Sequence, residues 1–156
     1  MDYMMLRKIS EGYDINSVWA RDKWLSEPTT LETIQLWEQM HNLDFDVDIY
    51  NQLCAIALKH DCAPEIYELI DKAHVKSFIF DKKELFLHKD IAVDYAQWLS
   101  PSFRGYTTLC LKNGVTLNFN SEEDFIVSDK ALAEFTKRYA LESYEYSIKA
   151  NLCVKC

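Results

Sequence analysis

The sequence predicts an α+β fold, rich in helix, with one β-hairpin near its middle. Three observations carry that expectation. Apolar residues recur at helical spacing on both sides of the centre, as in Leu31, Ile34, Trp37 and again in Ile91, Ala92, Tyr95, Ala96 and Leu99. Between them, residues 75–80 and 84–87 are dense in β-branched, aromatic and aliphatic side chains around a short polar insert. Only three glycines and three prolines punctuate 156 residues, which favours helices with short connections over a loop-rich sandwich. At 49% hydrophobic and 27% charged, the chain has ample material for a core.

The elements follow in order. Residues 3–9 are apolar and predict a short strand, and Glu11-Gly12-Tyr13 reads as a turn. Asn16 or Ser17 can cap a helix over 18–25, which Ser26-Glu27-Pro28 breaks. Thr29-x-x-Glu32 has capping-box spacing and opens a helix carrying Leu31, Ile34, Leu36, Trp37 and Met40. Residues 42–48 read as an acidic loop, with Asp48 a candidate cap for a helix bearing Ile49, Leu53, Ile56 and Ala57. Pro64 suits the first turn of a further helix that ends near Lys72.

Residues 81–83 form the polar turn of the hairpin, although Asn-Gly and Asp-Gly are absent. A helix over 90–99 follows directly. Ser100-Pro101 stops it and can open the next element, with Ser100 as cap and Pro101 at the first helical position. Residues 106–111 suit helix or strand. Asn113-Gly114 is a turn, 115–119 alternates as a strand would, and Ser128 can cap a last helix to about Tyr144.

Two stretches resemble a known family. Ala92-x-x-x-Ala96-x-Trp98-Leu99-Ser100-Pro101-x-Phe103 is similar to the end of the KilA-N domain, a small DNA-binding module of phages and large DNA viruses. Gly12-Tyr13-Asp14-Ile15-Asn16-Ser17 looks like that family's opening, shifted by one residue. Lys23-Trp24-Leu25 with Thr29-Thr30-Leu31-Glu32 resembles its W-L-x-n-x-T-x-E segment, and Leu87-His88 falls where it has W-V-H-P. The pieces occur in the family's order over about residues 6–105. The family's G-T-W is absent, Lys89-Asp90 replaces its proline, and the segment before the hairpin is longer by about one helix.

The resemblance implies a winged helix-turn-helix-like domain over 1–112, with 113–156 as a strand-helix extension packed on it. It further implies a non-enzymatic DNA-binding protein of phage or viral type, with one helix in the major groove and the hairpin as wing. Lys82 and Lys83 at the tip are the foremost phosphate contacts, and Lys76, Lys89 and Arg104 would extend the patch. Arg7, Lys8, Arg21 and Lys23 form a second basic group. Paired target sites would make such a module a homodimer.

Charge complicates this picture. The formal net charge is −8, with an acidic excess already present in the first 60 residues. Such a balance disfavours strong non-specific phosphate binding, though it leaves room for a local basic face. The acidic balance and the eroded wing motif motivate an alternative: a phage-encoded inhibitor of a host protein, by direct binding or by imitating nucleic acid. Asp44, Asp46 and Asp48 alternate, which suits a solvated loop with an N-cap better than converging catalytic carboxylates.

No nucleotide-binding glycine loop, nucleophile elbow or H-E-x-x-H is present, and His41, His60, His74 and His88 are scattered. The sequence therefore predicts neither an enzyme nor a cofactor. Cys153-Val154-Lys155-Cys156 has the spacing of half a zinc site, with no second pair to complete it, so free thiols in a reducing cytoplasm are expected for all five cysteines. The four tryptophans are assigned to apolar faces. No apolar run reaches membrane-spanning length and the first residues do not look like a secretory leader, so a cytoplasmic protein without membrane contact is expected.

Overall fold

The computed structural model describes residues 2–138. Strand β1 (Tyr3–Met5) runs straight into α1 (Leu6–Gly12). Helices α2 (Ser17–Leu25), α3 (Pro28–His41), α4 (Val47–Lys59) and α5 (Ile66–Asp71) follow. The hairpin β2 (Phe78–Asp81) and β3 (Glu84–His88) leads into α6 (Lys89–Leu99) and α7 (Pro101–Lys112). A 3-10 turn spans Glu122–Phe125, and residues 129–138 are helical. The three strands form one antiparallel sheet in the order β1-β3-β2, with Met4 opposite Leu87 and Phe78 opposite Leu87. No helix among the described residues is long and apolar enough to cross a membrane.

The core lies between this small sheet and α1, α2 and α6. Trp24, Tyr95, Phe78, Met4 and Leu87 are fully buried there. Trp24 meets Tyr95 and Phe78 edge-on, with centroids 4.9 and 6.4 Å apart, a geometry that suits the ring quadrupoles. Its indole N–H donates to Asp94 Oδ2 at 2.9 Å, so the polar end of the ring is satisfied. Inside the same core, Ser10 Oγ and Tyr95 Oη lie 2.6 Å apart and share a hydrogen bond.

Several helix ends follow the sequence closely. Asn16 caps α2 by accepting from the Trp19 N–H, and Ser100 caps α7 by accepting from the Phe103 N–H, with Pro101 in the first turn. Residues 106–111 resolve as helix within α7. Ser128 Oγ accepts from the Ala131 N–H and opens the helix at 129, whose expected continuation to Tyr144 lies outside the described residues.

Other expectations are corrected. The apolar run 3–9 is strand only to Met5, because pairing with β3 stops there and α1 begins at Leu6. Thr29 caps nothing: Pro28 holds the first helical position, so Glu27 is the N-cap and both threonines sit inside the first turn. Asp46 rather than Asp48 caps α4, and α5 begins at Ile66, two residues beyond Pro64. Residues 115–119 form no strand, since no partner strand lies alongside them among the described residues. Residues 119–125 contact the rest of the described chain. Phe125 is buried against Phe103 and stacked on Phe119 at 4.5 Å, Tyr13 Oη donates to the Phe125 carbonyl, and Glu122 Oε1 accepts from the Met5 N–H.

Candidate nucleic-acid interface

The hairpin turn is built from two lysines. Asp81 pairs with Glu84, leaving Lys82 and Lys83 as a two-residue loop with φ of 50° and 66°. Two left-handed residues in a two-residue hairpin are the signature of a type I′ turn, which matches the twist of the strands and normally recruits Asn-Gly. Both side chains are exposed, and neither meets a carboxylate within ion-pair distance among the described residues.

Lys76 and Lys89, expected to widen this patch, are neutralised instead. Lys76 Nζ lies 3.0 Å from Asp44 Oδ2, and that ammonium holds the Asp44 carboxyl below its usual range. Lys89 Nζ lies 3.5 Å from Asp2 Oδ1. Arg104 is exposed on α7, a helix whose packing partner is α6. The five positions therefore do not form one continuous cationic surface.

A different grouping does arise. Lys83 lines a depression of about 200 Å³ together with Arg7 from α1 and Arg21 from α2. Two basic groups remote in sequence thus meet beside the turn. Each arginine has a carboxylate neighbour: Arg7 bonds Glu84 at 2.8 Å and Glu11 at 2.9 Å, and Arg21 bonds Asp22 at 3.2 Å. These pairs orient the guanidinium groups at solvent-exposed sites, where ion pairs contribute little to stability.

No family model matches the chain, and no curated protein and no solved structure matches it either.

Arg21 also faces a second and larger depression, about 540 Å³, on the other side of α2. Its walls include Trp19, Lys23, Tyr67 and Phe80. Trp19, assigned to the core from sequence, is 56% exposed, a correction that helical geometry explains: Ala20, Trp24 and Leu25 form the inward stripe of α2 and leave Val18 and Trp19 outside it. The signal was present in the sequence as an apolar set too wide for one face of a nine-residue helix. Tyr67 is 57% exposed and stacks on Phe80 at 4.2 Å and 11°.

The third aromatic group lies at the start of α6. His88 and His41 flank the Trp37 ring at 4.8 and 4.7 Å, and the Trp37 N–H donates to Asp90 Oδ2 at 3.0 Å. His88 Nδ1 accepts from the Asp90 N–H at 3.1 Å and so caps α6. Burial pushes the His88 imidazole below its ordinary pKa, against the opposing pull of the Asp90 and Asp2 carboxylates. Among the described residues no three His, Cys, Asp or Glu side chains gather as a metal site would require, and Cys153 and Cys156 lie outside those residues.

Proposed function

We propose that the protein is a KilA-N-like, winged-helix type DNA-binding module without catalytic activity, and that the Lys82-Lys83 turn seats on the phosphate backbone of a duplex. The observation that carries the reading is the turn itself. Two exposed, unpaired cations occupy left-handed positions that lysine disfavours by about 1 kcal/mol each. Such strain is retained where a side chain is needed at that spot, and a hairpin tip is a natural reach toward a phosphate. Arg7 and Arg21 lie beside Lys83, each already paired with a carboxylate, so the two tip lysines carry the contact.

Fluorescence anisotropy with a labelled duplex at several salt concentrations tests it. Lys82→Glu with Lys83→Glu is expected to weaken binding at least tenfold and to lower the salt slope by about 2, since each phosphate contact contributes roughly one counterion. Absence of binding to any duplex at low salt rejects the proposal.

A second reading, binding to a host protein as a phage-encoded inhibitor, has its own support. Leu36 and Met40 lie one turn apart on the outer face of α3, 56% and 79% exposed, and Leu43 just beyond the helix is fully exposed. The exposed residues of this helix include no lysine or arginine, so α3 suits a protein better than a phosphate-lined groove. Nuclease-insensitive capture of a stoichiometric protein, lost on Leu36→Asp with Met40→Asp, would favour this reading. Self-association through the same face is separated from it by sedimentation of the purified chain.

A further inference from the structure

We propose that the 540 Å³ groove beside α2 receives an unpaired base, so that the preferred ligand is nucleic acid with a single-stranded segment next to its duplex. This rests on the DNA-binding reading and specifies its substrate class. Three features of the groove converge on it.

The first is the pair of exposed aromatic faces. Trp19 lines the groove from α2, where it leans on Trp98 at 6.4 Å, and Tyr67 lines it from α5, stacked on Phe80, which lines it too. Base stacking needs a flat ring whose outer face is open and whose position is fixed, and the Phe80 contact fixes Tyr67 while leaving it 57% exposed. A buried aromatic could not serve, and a lone exposed one would be ordinary surface.

The second is size. The volume, about 540 Å³, falls within the roughly 300–1,000 Å³ typical of sites that hold small organic ligands, enough for a base with its sugar.

The third is continuity with the hairpin. Arg21 lines both this groove and the smaller depression that holds Lys83 and Arg7. A strand whose phosphates lie on Lys83 and Arg21 would deliver its next base into the groove. Lys23 adds a second cation on the same side. The carboxylates Asp61 and Glu65 belong to the α4–α5 connection opposite. Asp22 lines the groove from α2, 3.2 Å from Arg21, and all three carboxylates offer acceptors to base amino groups.

The test uses the full chain and two labelled probes, a dT20 single strand and a blunt-ended DNA duplex of two fully paired strands. The expected result is that dT20 binds at low salt with quenching of tryptophan emission, and that Trp19→Ala weakens dT20 about tenfold while changing the duplex affinity less than twofold. Trp19 is largely exposed, so its removal leaves the core intact; Tyr67→Leu provides a second variant that keeps an apolar cover over Phe80. If dT20 does not bind while the paired duplex does, or if both variants bind dT20 like the original, the groove is not a base site and the duplex reading stands alone. If neither probe binds, both proposals fall together.

Discussion

Glu38 accepts the backbone N–H of Ser77 at 2.7 Å, thirty-nine residues away in sequence. The same oxygen accepts from the Lys76 N–H at 2.8 Å, and the other oxygen accepts from the Asn42 side-chain amide at 2.7 Å. Glu38 is completely buried, so a carboxylate on α3 holds the entry of the hairpin. Removing it strands two backbone donors, each costing about 1–3 kcal/mol when left unmade. Glu38→Ala is therefore expected to destabilise the protein by about 2–5 kcal/mol in urea denaturation, with Glu38→Gln losing less because its carbonyl still accepts. A loss below about 0.5 kcal/mol for the alanine variant would contradict this role.

Gly12 makes room for the extension. A β-carbon at this position would overlap Ile126 Cδ1 and stand 2.6 Å from Ile126 Cγ1. Overpacking of this kind costs about 1–3 kcal/mol, and alanine's better helix propensity offsets roughly 1 kcal/mol of it. Gly12→Ala should lower stability modestly and speed amide exchange across residues 119–127, without a matching change in the strands. Uniform exchange behaviour across the whole chain would show that this contact does not hold the extension in place.

Local signals were legible and remote pairings were not. Ser100 with Pro101, Asn16 before α2 and the apolar stripe of α6 each act within four residues, so sequence alone locates them. The hairpin was legible for the same reason, although its turn lacks glycine. The candidate patch dissolved because Asp44 and Lys76 are thirty-two residues apart and Asp2 meets Lys89 across the sheet. Neighbours in sequence shared a charge sign, but chain folding chose their counter-charges. The meeting of Lys83 with Arg7 and Arg21 is likewise a product of α1 and α2 packing beside the hairpin.

The cap of α6 gives a pH dependence with a definite sign. His88 Nδ1 must be unprotonated to accept from the Asp90 N–H, and burial lowers its pKa in the fold. The folded chain therefore takes up a proton less readily than the unfolded chain. Stability from this group is complete above the unfolded value of about 6.5 and is lost as pH falls below it toward the folded pKa. Asp90 and Asp2 limit the shift, while Lys89 and His41 add to it. Losing the side-chain cap costs about 1 kcal/mol, and a positive ring at a helix N-terminus adds to the loss. His88→Asn keeps an acceptor that does not titrate, so denaturation midpoints between pH 7 and 5 should flatten in that variant. An unchanged pH slope would assign the dependence to other groups.

The Lys82-Lys83 turn sets stability against binding. Asn at 82 and Gly at 83 are the residues a type I′ turn prefers, and they relieve two left-handed lysines with φ of 50° and 66°. The double variant Lys82→Asn, Lys83→Gly should therefore raise stability by about 1 kcal/mol, read as a higher urea midpoint with an unchanged slope. It removes the two tip cations at the same time, so duplex affinity should fall as it does for the glutamate variants, though by less because no repulsion is introduced. Opposite changes in the two measurements identify the lysines as kept for contact. A variant that is more stable and binds duplex as tightly as the original would leave the strained turn without a functional reason.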